Sequence, residues 1–138
     1  MSNRYIFHLS IPVADLQPAK DFYVGVLGAT VGRENPDWLD ILVWGHQITL
    51  QLRPTEVLPA DQQGKRHFGV VLPWDVWESE AVRIRSIGAA FLADPTILHG
   101  GTTEEQAKFY LADPSHNIIE VKAYRSVCDT LHLSPVQA

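Results

Sequence analysis

A single cysteine, Cys128, stands among the 138 residues, which excludes an intrachain disulfide and any zinc site built from several thiolates. Chemistry in this chain must come from imidazole, carboxylate, amide and hydroxyl groups. Basic charge is scarce and scattered. Eleven Lys and Arg against sixteen Asp and Glu give a formal net charge of −5, with no basic run longer than Lys65-Arg66. A phosphate-backbone footprint is therefore missing, and nucleic acid is not expected as a partner. No apolar stretch approaches the roughly 18 residues of a spanning helix, so no membrane is expected either. Residues 1–4 lack the charged, apolar and small-residue succession of a secretory leader, and the expectation is a cytoplasmic protein. What the chain does hold is apolar surface. A hydrophobic fraction of 46%, with five Phe, four Trp and four Tyr, is enough for a packed interior and excludes disorder over most of the length.

The apolar residues repeat in a duplicated order. In Tyr5–Val13, Phe7, Leu9, Ile11 and Val13 alternate with His8 and Ser10, the period of a strand with one buried face. Asp15 is placed to cap a helix running to about Leu27, with Gly28 placed to end it. Strand-like runs follow at Ala29–Arg33, Trp38–Trp44 and Gln47–Leu52. After a polar linker over 53–64 the order begins again: a strand at His67–Leu72, a helix over about Asp75–Ile87, and Gly88 where Gly28 stood. Strands are then expected at Ala90–Leu92, Gln106–Leu111 and Ile118–Tyr124, with a loop over Asp94–Glu105. The pattern predicts one α+β domain over 1–138, made of two βαβββ modules at about 5–52 and 66–124. Two half-open sheets of this kind bury helices outside and leave a concave face, where a cleft is expected. The tail over 125–138 shows little period and reads as frayed or partner-packed.

His8 and His67 lie 59 residues apart, and Gly28 and Gly88 lie 60 apart, so the two histidines hold equivalent places in the two copies. By alternation His8 sides with Ser10 and His67 with Gly69, away from the apolar phase. Glu120 sits in Ile118–Tyr124 opposite in phase to Ile119, Val121 and Ala123. Two imidazoles and one carboxylate are the minimal set for a divalent transition metal with open positions, as in non-haem Fe(II) and some catalytic zinc sites. Such a cation keeps positive charge to act as a Lewis acid on a substrate oxygen. Taken singly, each histidine is as readily a hydrogen-bonded strand residue, and Glu120 can instead pair with Lys122. Gln51 is read as the first copy's counterpart of Glu120, either a weak fourth ligand or a hydrogen-bonding partner of water or substrate. Ser10 and Lys108 join it as candidate substrate-binding residues, and Tyr110 is a candidate proton donor. Trp38, Trp44, Trp74 and Trp77 either line an aromatic pocket or fill the core.

The chain resembles the vicinal oxygen chelate superfamily, which includes glyoxalase I, extradiol dioxygenases, fosfomycin-resistance transferases and bleomycin-resistance proteins. The resemblance covers roughly residues 5 to 124. It rests on Phe7–Val13 with Asp15-Leu16, on Asp21-Phe22-Tyr23 through Leu27-Gly28, on His67–Val70, and on Leu111–Glu120. The last is similar to the family's DPxGN-x-x-E element, with His116 in place of the glycine. The resemblance implies a glyoxalase-like fold with a concave mixed sheet and metal ligands at His8, His67 and Glu120. Gln51 stands at the fourth position, without the second carboxylate of many glyoxalase I enzymes. It implies a divalent metal, Fe(II) first and Zn, Ni or Mn otherwise, in a homodimer acting on a small substrate with vicinal oxygens. Extradiol-type dioxygenation is the first expectation within that class, glyoxalase-like lyase or isomerase chemistry the next. A metal-free, bleomycin-resistance-type binding protein is the alternative from another class.

Overall fold

The computed structural model describes residues 4–134; the expectations for residues 1–3 and for 135–138 of the tail lie outside them. The described chain forms two compact units. One takes in the residues up to Lys65 together with Asp113–Asn117, and the other Arg66–Ala112 with the residues from Ile118 onward. Each unit carries a four-stranded mixed sheet built in the order βαβββ, so the α+β fold of two such modules is what forms.

In the first unit the elements are β1 (His8–Val13), α1 (Leu16–Gly25), β2 (Thr30–Glu34), β3 (Trp38–Val43) and β4 (His46–Leu52), with strand order β1-β4-β3-β2. β1 runs parallel to β4, which requires the long crossover through α1, and the other pairs are antiparallel. Asp15 caps α1 by accepting from the Gln17 N–H at 3.3 Å. Gly28 takes φ +71°, the left-handed step that turns the chain from the helix into β2. Val13, Leu39, Ile41, Val43, Ile48 and Leu50 are buried with Ala19 and Tyr23 of α1. Alternation then leaves His8, Ser10, Asp40, Gln47, Thr49 and Gln51 on the other face.

Buried Tyr23 donates to Asp113 Oδ2 at 2.8 Å. The turn carrying that carboxylate is held by the Ser115 and Asn117 N–H groups on Asp113 Oδ1, at 2.8 and 2.9 Å. Ser115 Oγ accepts from the Ala14 N–H, and the Asn117 amide donates to the Pro12 carbonyl. His116 adopts φ 69° here; histidine is among the side chains that visit the left-handed region. The turn therefore keeps its shape without the family's glycine.

The second unit comprises β5 (Phe68–Val71), α2 (Trp74–Ser86), β6 (Ala93–Leu98), β7 (Gln106–Ala112), β8 (Ile118–Tyr124) and α3 (Val127–Leu131), with strand order β5-β8-β7-β6. Its core joins Trp77, Ala81 and Ile84 of α2 to Ala107, Phe109, Leu111, Ile119, Val121 and Ala123. The Trp77 indole N–H donates to the Val121 carbonyl at 3.0 Å. Trp77 is therefore part of this core.

Three expectations are corrected. The strand expected at Ala90–Leu92 lies instead at Ala93–Leu98, inside the stretch read as loop. Asp94-Pro95 reads as a turn, but β6 is the sheet's outermost strand, and its ladder to β7 shifts register between Ala93 and Thr96. A proline is tolerated at such a place because no ladder donor is needed from it. The tail folds into α3, closed by His132 in the left-handed region. The first strand begins at His8 rather than Tyr5. Among the described residues, no helix is long and apolar enough to cross a membrane.

Candidate functional site

In the second unit, the register of β8 places Glu120 between Gly69 of β5 and Tyr110 of β7, on the face that α2 does not cover. His67, immediately before β5, brings Nε2 to 3.3 Å from Glu120 Oε2, and Lys122 Nζ lies 3.3 Å from Oε1. The Tyr110 hydroxyl interacts with the same carboxylate, and its ring meets the His67 ring edge-on at 5.8 Å between centroids. Lys108, directly across the ladder from Lys122, lies over the Tyr110 ring at 5.7 Å. Glu120 is 7% exposed and His67 42%, so the carboxylate is sunk in the sheet and the imidazole is open to an incoming molecule. A cavity of about 300 Å³ is lined by His67, Gly69, Glu120 and Lys122 among others. Gly69 is required by close approach, because a Cβ at that position would run into the Glu120 carbonyl.

Electrostatics follow from this crowding. Burial pushes the Glu120 carboxyl up, but the Tyr110 hydroxyl, Lys122 and His67 outweigh it and hold the carboxyl below its usual range. The hydrogen bond to Glu120, aided by burial, raises Tyr110, which keeps its proton. Burial lowers Lys122, and Tyr124 and Glu120 more than restore it. The result is an anion held between a hydroxyl, an ammonium and an imidazole.

In the first unit His8 and Gln47 are register partners, and the His8 Nδ1 lies 2.8 Å from Gln47 Oε1. The Gln47 amide nitrogen donates to Asp40 Oδ2 at 3.3 Å. Asp40, only 3% exposed, also accepts from Thr49 Oγ1 at 2.6 Å and from Arg33 Nε at 2.8 Å. Ser10 accepts from the Gln51 amide at 3.2 Å. These two residues line a cavity of about 670 Å³ with Asp37, Arg53 and Glu56.

In the ladders, Gly69 faces Glu120 and Val71 faces Lys122, while Ser10 faces Thr49 and Pro12 faces Gln51. Asp40 and Gln47 were missed as site residues, although the signal was there: Asp40 is an acidic residue inside the apolar run Trp38–Trp44. His46 has a structural task, its Nδ1 accepting from the Phe7 N–H at 3.0 Å.

The spacing of one pair among these groups suits a divalent metal. Two ligands on adjacent positions of one octahedral ion, each 2.0–2.2 Å from it, lie about 3 Å apart. His67 Nε2 and Glu120 Oε2, at 3.3 Å, fit that spacing, with Oε1 steadied separately by Lys122. In the first unit the His8 Nδ1 is engaged by the Gln47 amide oxygen, so Nε2 is the ring nitrogen that could ligate an ion. Among the described residues, no three His, Cys, Asp or Glu side chains are gathered into a group that could hold a metal ion.

Two βαβββ modules, each with its own four-stranded mixed sheet, define the glyoxalase-like α+β class. The chain belongs to the Glyoxalase/Bleomycin resistance protein/Dioxygenase superfamily, whose profile matches residues 5–121. A glyoxalase/bleomycin resistance protein/dioxygenase from Alicyclobacillus acidocaldarius is 32% identical, with a TM-score of 0.81 over 91% of this chain and 96% of that one. Two more distant structures share the fold. The fosfomycin resistance protein FosX from Listeria monocytogenes is 15% identical at a TM-score of 0.67, covering 88% of this chain and 94% of its own. Lactoylglutathione lyase from Agrobacterium tumefaciens is 16% identical at 0.62, covering 89% and 95%. No curated protein matches the chain.

Proposed function

We propose that this protein is a divalent-metal-dependent enzyme acting on a small substrate that chelates through two neighbouring oxygens, with His8, His67 and Glu120 as the metal ligands. The observation that carries the proposal is the His67–Glu120 pair at ligand spacing on the uncovered face of the second sheet. Fe(II) suits two imidazoles and one carboxylate best, and Zn, Ni or Mn are the alternatives. When bound, such an ion supplies Lewis acidity to a substrate oxygen. Extradiol-type ring cleavage is the first reading of the reaction. Glyoxalase-like lyase or isomerase chemistry is the next, since both belong to the superfamily. Homodimeric assembly and a cytoplasmic location are part of the same proposal.

The chain's own side chains have distinct tasks in this reading. Lys108 and Lys122 face each other across one rung of the ladder, a like-charged pairing that the Glu120 carboxylate beside Lys122 only partly offsets. They attract a substrate carrying or developing negative charge. Tyr110 holds its proton at the hydroxyl oxygen beside Glu120, from which it is delivered to a substrate atom within reach. Ser10 and Gln51 offer a hydroxyl and an amide to the walls of the first unit's cavity.

One observation favours the second reading, a metal-free binding protein that sequesters a small molecule. Tyr110, Lys122 and His67 already satisfy Glu120 without any cation. Elemental analysis of protein purified without chelator separates the two. Stoichiometric metal that disappears in His67→Ala supports the enzyme; no metal under any loading condition supports sequestration.

A further inference from the structure

The first unit holds a polar chain that no metal ligand set requires: Arg33, Asp40, Gln47 and His8 in sequence across four strands. Its direction is fixed at the buried end. Asp40 is an acceptor only, paired to Arg33 through Nε and Nη2, both 2.8 Å from Oδ2, and bonded by Thr49 Oγ1 at 2.6 Å. An acceptor can be met only by the NH₂ end of Gln47, and the Gln47 amide nitrogen is what lies 3.3 Å from Asp40 Oδ2. The amide oxygen is thereby turned to His8, 2.8 Å from Nδ1. A carbonyl oxygen cannot donate, so Nδ1 must carry the hydrogen, and Nε2 of the neutral ring is left with its lone pair exposed.

The geometry points to Asp40 and Gln47 as positioning residues that lock His8 in the Nδ1–H tautomer, presenting Nε2 as the acceptor for an electrophile. The inference rests on the metal reading above, in which that electrophile is the ion. It adds that the ligand-competent form of His8 is set before any ion arrives. Histidines that bind metals characteristically donate their other ring N–H to a fixed acceptor, and loss of that acceptor weakens binding by about tenfold to a hundredfold. Here the acceptor is a neutral amide, itself oriented by a buried carboxylate on the neighbouring strand. Gln47 touches neither substrate nor ion in this scheme; it acts through His8.

The test reads the ring directly. In a long-range proton–nitrogen correlation spectrum of the metal-free full-length protein, with the imidazole neutral, wild-type His8 is expected to show a protonated Nδ1 and a bare Nε2. Gln47→Met, which fills the same space without an acceptor, shifts the population toward Nε2–H. Gln47→Glu combined with Asp40→Asn, which restores an acceptor to His8 and sets an amide donor against the new carboxylate, returns it to Nδ1–H. Gln47 is half-buried and lies outside the core, and a thermal melt checks that each variant folds. In Zn(II) titrations Gln47→Met binds about tenfold to a hundredfold more weakly than wild type, and the Gln47→Glu/Asp40→Asn double variant recovers most of the loss. A wild-type spectrum showing Nε2–H, or a Gln47→Met spectrum identical to wild type, overturns the inference even if the protein binds metal. Unchanged Zn(II) affinity in a Gln47→Met protein whose tautomer has shifted overturns it as well. Failure of wild type to bind any divalent ion overturns the metal reading instead, and the tautomer alone then decides whether the relay exists.

Discussion

His67 Nε2 and Glu120 Oε2 face each other at 3.3 Å across the parallel pairing of β5 with β8. Because burial is outweighed by Tyr110, Lys122 and His67, the folded Glu120 carboxyl titrates below its unfolded value. A depressed carboxyl contributes stability above its unfolded pKa of about 4.3, and that stability is lost as pH falls through the folded value. Glu120→Gln is expected to flatten the acid limb of the stability curve and to abolish stoichiometric metal binding. Denaturant melts through the mildly acidic range, with elemental analysis at neutral pH, check both. An unchanged acid limb would contradict the charge assignment.

Gly69→Ala is expected to be far costlier than a surface glycine change. The new Cβ meets the Glu120 carbonyl of the paired strand, and overpacking of this kind costs about 1–3 kcal/mol or more. Relief of the clash must displace Glu120, so metal affinity should fall along with the melting temperature. A variant as stable as wild type that binds metal normally would refute this account.

Tyr23 is fully buried, and its proton is retained by burial first and then by Asp113, so its pKa is raised well above the ordinary value. A raised tyrosine contributes stability that is complete below the unfolded pKa of about 10 and is lost as pH rises through the folded value. Wild type should therefore weaken steeply on the alkaline side. Tyr23→Phe should lose about 1–3 kcal/mol at neutral pH, since Asp113 keeps its backbone donors but loses the hydroxyl, and should show a shallower alkaline decline. Chemical denaturation at neutral and alkaline pH measures both effects.

Gln51→Ala should leave metal content unchanged and raise KM more than it lowers kcat, because Gln51 hydrogen-bonds Ser10 at a cavity wall. Equal loss of metal and activity would make Gln51 a ligand after all.

Sequence periodicity located the strands that carry alternating burial. Ile118–Tyr124 is found as read, because its apolar and polar residues alternate without interruption. β6 escaped because an edge strand with Asp94-Pro95 at its bulge carries turn chemistry inside a ladder. The histidines and Glu120 were legible through duplication. Asp40 and Gln47 were not, because their partners Arg33, Thr49 and His8 are set by pairing among strands distant in the chain.

Five residues from late in the chain, Asp113–Asn117, complete the first unit. A gene severed after Lys65 would thus encode an amino-terminal fragment whose Tyr23 hydroxyl is buried with no acceptor and whose Pro12 carbonyl and Ala14 amide lose their side-chain partners. The amino-terminal module is therefore no stand-alone product: its closing piece is encoded near the other end of the gene.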